Sequence, residues 1–239
     1  MKCQPSKEYV PLTLVCKLAS ASFLAAFTTA EEIHHIATSP LPPCQIQHAP
    51  NKSLPSCSIP HVYPLTVPTP STGIPFGRNL FCSISSLGLP SILPSSSIPP
   101  LLRDCHRILR PAGKLHLTII DPLPLLATTG PRLRAWLEKH LVLNLEKHFR
   151  CMNPGRLIPI WLKETRFSCQ ATVIEFWATG KGEGTPAELN AIIGKMLWKE
   201  MWGGYLDGKE WWWDNEAVME ECERMETRWE CSLVEAVKM

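Results

Sequence analysis

The amino-acid sequence predicts an α/β fold whose sheet is built mainly from residues 72–239. Residues 115–120 form a short, almost uninterrupted apolar run, which is typical of a strand buried on both faces of a parallel sheet. Immediately before this run, apolar residues recur at helical spacing and end at Leu109. Helical and strand-like patterns then alternate through the rest of the chain, and such alternation indicates an α/β protein.

The predicted elements begin at residue 72 with a turn and a strand. A polar turn follows residues 74–76, and residues 80–84 then form an uncharged apolar run that we predict to be a strand. The next helix opens at Pro99 and Pro100, because proline lacks the N–H group that a first helical turn leaves without an intrahelical partner. The apolar face of this helix consists of Leu101, Leu102, Cys105, Ile108 and Leu109.

Beyond residue 120 the pattern predicts three helices and two strands. The first helix, which we expect to end at Asn153, carries apolar residues four positions apart, namely Leu133, Leu137, Leu141, Leu145 and Phe149. Residues 167–178 alternate loosely and predict a strand, and residues 189–202 predict an amphipathic helix. Asp214 is a suitable N-cap for a further helix, and residues 228–238 predict the last strand.

The first part of the chain has a different composition. Sixteen of the 23 prolines lie in residues 1–100, the first glycine is Gly73, and the only acidic residues before position 72 are Glu8, Glu31 and Glu32. Proline removes hydrogen-bond donors from strands and is excluded from central ones. We therefore predict that residues 1–71 form an irregular, proline-rich region without a recognisable cofactor motif, and that residues 72–239 form the folded part.

The segment 105–124 resembles the helix–turn–strand of class I S-adenosylmethionine (SAM) methyltransferases. In that family a leucine-rich helix leads through the pattern R-x-L-[KR]-P-G-G into the fifth strand, and residues 107–113 here read R-I-L-R-P-A-G. Residues 74–84 resemble the family's approach to its fourth strand, with Cys82 where the family has an aspartate. Residues 143–154 and 195–202 are similar to segments of methyltransferase-like proteins of filamentous fungi.

This resemblance covers residues 72–239 and implies a partial Rossmann-like methyltransferase sheet. It would contain the later strands and an antiparallel edge pair, with a helical insertion near the C-terminus. The resemblance also implies SAM as the cofactor and a small molecule or a protein as the methyl acceptor. The first and fourth strands pair at the centre of such a sheet, so we expect an exposed fourth-strand edge and self-association, unless part of residues 8–35 supplies a substitute strand or a covering helix.

The cofactor half of such an enzyme is not recognisable upstream. A SAM site needs a glycine-rich turn after the first strand and a carboxylate after the second, which accepts hydrogen bonds from the ribose hydroxyls. Residues 1–71 contain no glycine and no aspartate. We therefore expect a methyltransferase-like protein that is truncated or degenerate in its first half. The alternative is a non-catalytic pseudoenzyme that binds a partner.

Ligands of open α/β sheets bind beyond the carboxyl ends of the parallel strands. This rule makes Ser85 and Ser86, predicted to follow the fourth strand, and Asp121, which follows the fifth, the candidate site residues. A simpler interpretation of Asp121 is a turn residue before Pro122.

Two further groups of residues are candidates for binding. Cys44, His48, Cys57 and His61 have repeated spacing and the ligand types of a tetrahedral zinc site, although four such residues can also arise by chance. Residues 211–213 are three consecutive tryptophans, which cannot all face one core. They predict either an interface or lid, or ordinary packing at the edge of the fold.

Composition excludes several classes of partner. A net charge of +2 without a basic run argues against a nucleic-acid surface, and the longest apolar runs are shorter than the 18–20 residues or so that span a bilayer. Scattered cysteines favour reduced thiols in an intracellular compartment, cytoplasmic or nuclear. Residues 18–30 weakly imitate a signal peptide but are preceded by Lys17 and lack an A-x-A cleavage site before Glu31.

Overall fold

The structure, a computed structural model, describes residues 11–14, 33–37 and 62–66, and residues 73–239 other than 181 and 209. These residues contain a seven-stranded sheet. Its strands are β1 (Pro11–Leu14), β2 (Ile33–Ala37), β3 (Val62–Thr66), β4 (Phe81–Leu87), β5 (Leu109–Ile120), β6 (Phe167–Trp177) and β7 (Arg228–Lys238).

The strand order across the sheet is β3-β2-β1-β4-β5-β7-β6. The five strands from β3 to β5 are mutually parallel. β7 runs antiparallel to both of its neighbours, β5 and β6. The prediction of an α/β, Rossmann-like sheet with an antiparallel pair at one edge is therefore confirmed.

Helices flank the sheet and enclose two clusters of buried apolar side chains. They are α1 (Leu89–Ile92), α2 (Ile98–Ile108), α3 (Pro131–Leu137), α4 (Leu143–Lys147), α5 (Pro154–Glu164), α6 (Pro186–Trp202) and α7 (Glu216–Met225). One cluster contains the buried faces of α2 and α5. The other contains those of α3, α4, α6 and α7. α6 and α7 lie between β6 and β7 in the chain, as the predicted helical insertion requires.

Three strands lie in the segment that the sequence predicts to be irregular. β1, β2 and β3 fall within residues 1–71 and complete the sheet beyond β4. Proline is tolerated there for positional reasons, since Pro11 is the first residue of its strand and Pro64 lies in the edge strand β3. The expectation that the first half of the sheet is missing is therefore wrong for β1, β2 and β3. The division of the chain into residues 1–71 and 72–239 stays a prediction.

The edge of β4 is covered. β1 pairs with β4 in parallel, with Leu12 opposite Ile84, and both side chains are fully buried. The predicted exposed edge of the fourth strand is therefore not found. β1 lies within residues 8–35 and is the substitute strand that covers this edge. Self-association of the chain stays a prediction without this support.

The predicted turn before the fifth strand is a bulge within β5. Phe81 of β4 pairs with Leu109 and Ser83 pairs with Lys114, so residues 110–113 oppose a single residue of β4. Ala112, which replaces a glycine of the resembling motif, has a φ of 60°. The following Gly113 cannot be replaced without a shift, because a Cβ there would lie 2.8 Å from the carbonyl oxygen of Arg110.

The long helix predicted up to residue 153 is shorter and interrupted. α3 and α4 are joined by a π-helical turn at Glu138–Val142, and the four leucines predicted to be buried are 0–2% exposed. Phe149 lies beyond the end of α4, with a φ of 55° and an exposure of 74%. α5 was not predicted, because Asn153, Pro154 and Gly155 begin this helix rather than only ending the previous one.

The cap of α7 also differs from the prediction. The side chain of Asn215 accepts a hydrogen bond from the N–H of Val218 at 3.2 Å and forms the cap. Asp214, the predicted N-cap, instead accepts a hydrogen bond from the N–H of Trp211 at 3.1 Å. The tryptophan run is thereby held in a tight turn.

Candidate functional site

Two clefts open where parallel strands end. The strand order places the topological switch point between β1 and β4, and ligands of open α/β sheets bind outside the carboxyl ends of the strands near that point. The cleft beyond β4 has a volume of about 700 Å³. A second cleft, beyond β5, has a volume of about 540 Å³. We call them the β4 cleft and the β5 cleft.

The β4 cleft is lined by residues from four separate parts of the chain. They are Leu87, Gly88, Ser91, Ile92, His148, Arg150, Lys199, Glu200, Met201, Gly204, Tyr205 and Trp211. Leu87 is the last residue of β4. The others come from α1, the segment after α4, the end of α6 and the loop that follows it.

Tyr205 fixes one wall of the β4 cleft. Its hydroxyl donates a hydrogen bond to the carbonyl oxygen of Ser91 in α1. Its own carbonyl oxygen accepts a hydrogen bond from Nδ2 of Asn144 in α4 at 2.9 Å. Ser91 in turn donates through Oγ to the carbonyl oxygen of Gly88 at 2.7 Å, and Gly88 makes the sharp turn out of β4 with a φ of 78°. These bonds join the end of β4 to two helices.

Basic and aromatic side chains lie together in this cleft. The guanidinium of Arg150 lies 5.4 Å from the centroid of the Tyr205 ring, and the ring of His148 lies 5.5 Å from it. Nζ of Lys199 lies 4.6 Å from the centroid of the Trp211 ring. Glu200 is the one acidic side chain among the lining residues. The cleft therefore carries a surplus of positive charge.

The predicted serines lie within β4 rather than beyond its end. The strand extends to Leu87, so Ser85 and Ser86 precede the cleft instead of lining it. Ser85 is half-buried. Ser86 is 5% exposed, and its Oγ has no hydrogen-bond partner among the described residues. A buried hydroxyl without a partner is unfavourable by about 1–3 kcal/mol.

Asp121 follows β5 and lines the β5 cleft, and its role in binding stays a prediction. One carboxyl oxygen accepts a hydrogen bond from the N–H of Gly155 at 2.9 Å. Burial raises the pKa of this carboxyl to about 6; the Gly155 N–H opposes the increase and the nearby Glu230 carboxylate adds to it. The rest of the cleft is formed by Leu123, Pro124, Leu125, Leu126, Thr129, Arg134, Leu137, Glu138, Val142, Asn153 and Glu230.

The raised pKa gives a testable pH dependence. Since the folded-state pKa of Asp121 lies above its ordinary value of 3.8, the folded chain holds this proton between about pH 4 and pH 6 and the unfolded chain does not. The free energy of unfolding therefore falls as the pH rises through that interval. Asp121→Asn is expected to be more stable than the original chain by about 1–2 kcal/mol at pH 7.5, with a smaller difference at pH 4.5.

Guanidinium denaturation at the two pH values measures this effect. Asp207→Asn is the matched control, because Asp207 is exposed and the substitution removes the same charge. An Asp121→Asn advantage of the same size at both pH values would contradict the assignment of the proton to this carboxyl.

The predicted zinc ligands Cys44, His48, Cys57 and His61 lie outside the described residues. Within the part of the chain that the structure describes, no three histidine, cysteine or acidic side chains are grouped as metal ligands would be. None of the described helices has both the length and the apolar composition to cross a membrane.

Most residues that line the β4 cleft could not be recognised as site residues from the sequence. Arg150 and Lys199 lie in the two segments that resemble methyltransferase-like proteins, residues 143–154 and 195–202, but the resemblance assigns no role to either side chain. Tyr205 lies outside both segments, and nothing in the sequence indicates that the three meet. Trp211 was considered only as a member of the tryptophan run. The three tryptophans have different surroundings. Trp212 is 1% exposed, whereas Trp211 lines the cleft and stacks on Trp213 with 5.0 Å between the ring centroids.

Comparison with solved structures places the fold among SAM-dependent methyltransferases. The chain is similar to the YcgJ protein of Bacillus subtilis, with 12% identity, a TM-score of 0.50, and coverage of 97% of this chain and 92% of that one. It is also similar to a geranyl diphosphate methyltransferase solved with GPP and sinefungin, with 12% identity, a TM-score of 0.54, and coverage of 99% and 74%.

A third similar structure is phosphoethanolamine N-methyltransferase 2 of Haemonchus contortus in complex with S-adenosylhomocysteine. The identity is 11% and the TM-score is 0.54, and the alignment covers 99% of this chain and 50% of that one. No protein-family model and no curated protein sequence matches the chain. At these identities the comparisons establish the methyltransferase fold.

The strand positions allow the fit of SAM to be tested against the residues present. β1 is followed by residues 15–32, which contain no glycine, although a close backbone approach to the cofactor needs one. β2 is followed by residues 38–61, which contain no aspartate or glutamate to accept hydrogen bonds from the ribose. The residues after the first two strands therefore do not fit SAM in the usual way.

Proposed function

We propose that this chain is a degenerate SAM-dependent methyltransferase, a methyltransferase-like protein that keeps the fold but binds the cofactor only weakly. One observation carries the proposal. β1 and β2 occupy the positions of the cofactor-binding strands, yet the segments after them lack the glycine and the carboxylate that SAM requires. The sheet supports the methyltransferase resemblance, and the residues argue against ordinary cofactor binding.

The alternative is a non-catalytic pseudoenzyme that acts by binding a partner. It differs from the first proposal only in having no residual affinity for SAM. The two clefts beyond β4 and β5 would then serve a ligand other than a methyl acceptor. A small-molecule or protein acceptor and an intracellular location are part of the first proposal.

Calorimetric titration of the full chain with SAM and with S-adenosylhomocysteine tests the proposal. We expect no saturable binding with a Kd tighter than about 100 µM, which corresponds to less than roughly 5.5 kcal/mol of binding free energy. The protein must first give a cooperative thermal unfolding transition, so that absence of binding is not caused by unfolding. A Kd in the low micromolar range would contradict degeneracy and indicate a rebuilt cofactor site. A complete absence of heat up to millimolar ligand would favour the pseudoenzyme.

A further inference from the structure

Arg150 differs from a well-paired arginine of the same chain. Arg107 uses its whole guanidinium: Nε donates to Asp104 at 2.9 Å, and Nη2 donates to the carbonyl oxygen of Ile74 at 2.8 Å. Nη1 of Arg107 also donates, to the carbonyl oxygen of Phe76 at 2.5 Å. In Arg150, by contrast, Nε and Nη1 are buried and have no hydrogen-bond acceptor among the residues that the structure describes.

The position of Arg150 is fixed by its surroundings. Its backbone N–H donates to the carbonyl oxygen of Leu145 at 2.8 Å, which ties the residue to α4. The carbonyl oxygen of Phe149 accepts from the N–H of Ser95 at 2.8 Å, which ties the same segment to the start of α2. The guanidinium lies against the ring of Tyr205, whose hydroxyl donates to the carbonyl oxygen of Ser91 and whose backbone carbonyl oxygen accepts from Asn144. The charge is therefore held in place before any ligand binds.

Two buried N–H donors of a guanidinium that lack acceptors among the described residues are costly, and an oxyanion in the cleft would offset that cost. Hydrogen bonds between arginine and carboxylate or phosphate are charge-assisted and stronger than neutral ones. Lys199 lies on another wall of the same cleft and is held over Trp211. The positive charges of Arg150 and Lys199 outnumber the carboxylate of Glu200 among the residues that line the cleft, and this balance favours a ligand with negative charge.

The remaining walls suit an aromatic or apolar body. Tyr205, Trp211 and Met201 line the cleft together with Ile92. A volume of about 700 Å³ lies within the range of small-molecule sites. We infer that the β4 cleft binds a small organic oxyanion, in which a carboxylate or phosphate group contacts Arg150 and an apolar or aromatic body lies against Tyr205 and Trp211. This inference goes beyond the proposed function, because it holds whether or not SAM binds.

Calorimetric titration of the full chain with phenyl phosphate, benzoate and phenol at low ionic strength tests the inference. The three probes share one ring and differ in charge, so phenol should bind at least about tenfold more weakly than the better of the two anions. Phenyl phosphate and benzoate distinguish the two oxyanion chemistries. Equal affinity for phenol and both anions, or no binding of either anion at 10 mM or so, would overturn the inference.

Substitutions then locate the site. Arg150→Gln should raise the Kd of the better anion about tenfold or more, and Arg150→Lys should raise it less because the charge remains while the planar fork is lost. Lys199→Gln should raise it about threefold. Arg103→Gln is the matched control, since Arg103 is exposed on α2 and the net charge changes equally. An Arg150→Gln protein with the Kd of the Arg103→Gln protein would overturn the assignment.

Because Arg150→Gln removes the contact with the Tyr205 ring, circular dichroism of each variant is recorded first to show that it is folded. If Arg150→Gln is unfolded, the Lys199→Gln variant and the comparison with phenol decide whether the β4 cleft binds the anion. An unchanged Kd in Lys199→Gln together with equal affinity for phenol would reject the site. The SAM titration is a separate measurement, and its outcome leaves this one unaffected.

Discussion

We expect removal of residues 1–35 to convert the folded chain into an aggregating one. The deletion takes away all of β1 and the first three residues of β2. β4 then loses its neighbour on one side, and Leu12, which is fully buried in the core, is lost with it. Residues 80–84 carry no charge. An uncharged, apolar edge of a central strand pairs readily with other chains.

Size-exclusion chromatography with light scattering measures this outcome. A deletion of residues 1–8, which stops short of β1, is the control and should not change the elution of the protein. Leu12→Asp tests the same strand without shortening the chain; it should lower the free energy of unfolding by at least 3 kcal/mol or so, because it buries an unpaired carboxylate. A 36–239 fragment that is monomeric and unfolds cooperatively would show that β1 is dispensable.

Replacement of Glu221 by alanine is expected to lower the free energy of unfolding by about 3 kcal/mol. Glu221 lies on α7, is 2% exposed, and accepts hydrogen bonds from the N–H groups of Arg132 at 3.1 Å and Leu133 at 2.9 Å. These groups belong to the first turn of α3, where N–H groups have no partner within the helix. Alanine would leave the buried N–H of Leu133 and the half-buried N–H of Arg132 without their acceptor and would remove one link between α3 and α7.

Gly130 provides an independent test of the same contact. A Cβ at this position would lie 2.2 Å from Cδ of Glu221, so Gly130→Ala must displace the carboxylate. The effects of Gly130→Ala and Glu221→Ala should therefore be far from additive in the double variant. Glu220→Ala is the control, since Glu220 is exposed on the same helix and its replacement should change stability by less than about 0.5 kcal/mol. Equal urea denaturation curves for the variants at positions 220 and 221 would refute the cap.

The sequence predicts those elements whose pattern is long and local. The strands β5, β6 and β7 and the helices α2 and α6 could be recognised because each carries several apolar residues at a regular spacing. β1, β2 and β3 have only four or five residues each, and two of them contain proline. Whether proline is tolerated in a strand depends on the position of that strand in the sheet, which only the tertiary structure decides.

In the candidate site, too, only residues that follow a clear local pattern could be predicted. Asp121 could be proposed from the sequence because it follows a clearly marked strand, and it does line a cleft. Ser85 and Ser86 were predicted to follow β4 but lie within it, because β4 continues to Leu87. Arg150, Lys199 and Tyr205 come from different elements and meet only through packing. The chemical character of the β4 cleft was therefore not predictable from any single segment.

The position of β7 between β5 and β6 has a consequence for synthesis of the protein on the ribosome. Residues 178–227 lie between β6 and β7, and β7 is the only strand that β6 contacts in the described sheet. At translation rates of 5–20 residues per second, β6 therefore waits roughly 3–10 s for its partner after it has been made. Residues 168–174 are uncharged and include Val173 and Ile174. During that interval the nascent chain presents an uncharged strand without its pairing partner, and such a strand edge can pair with other chains.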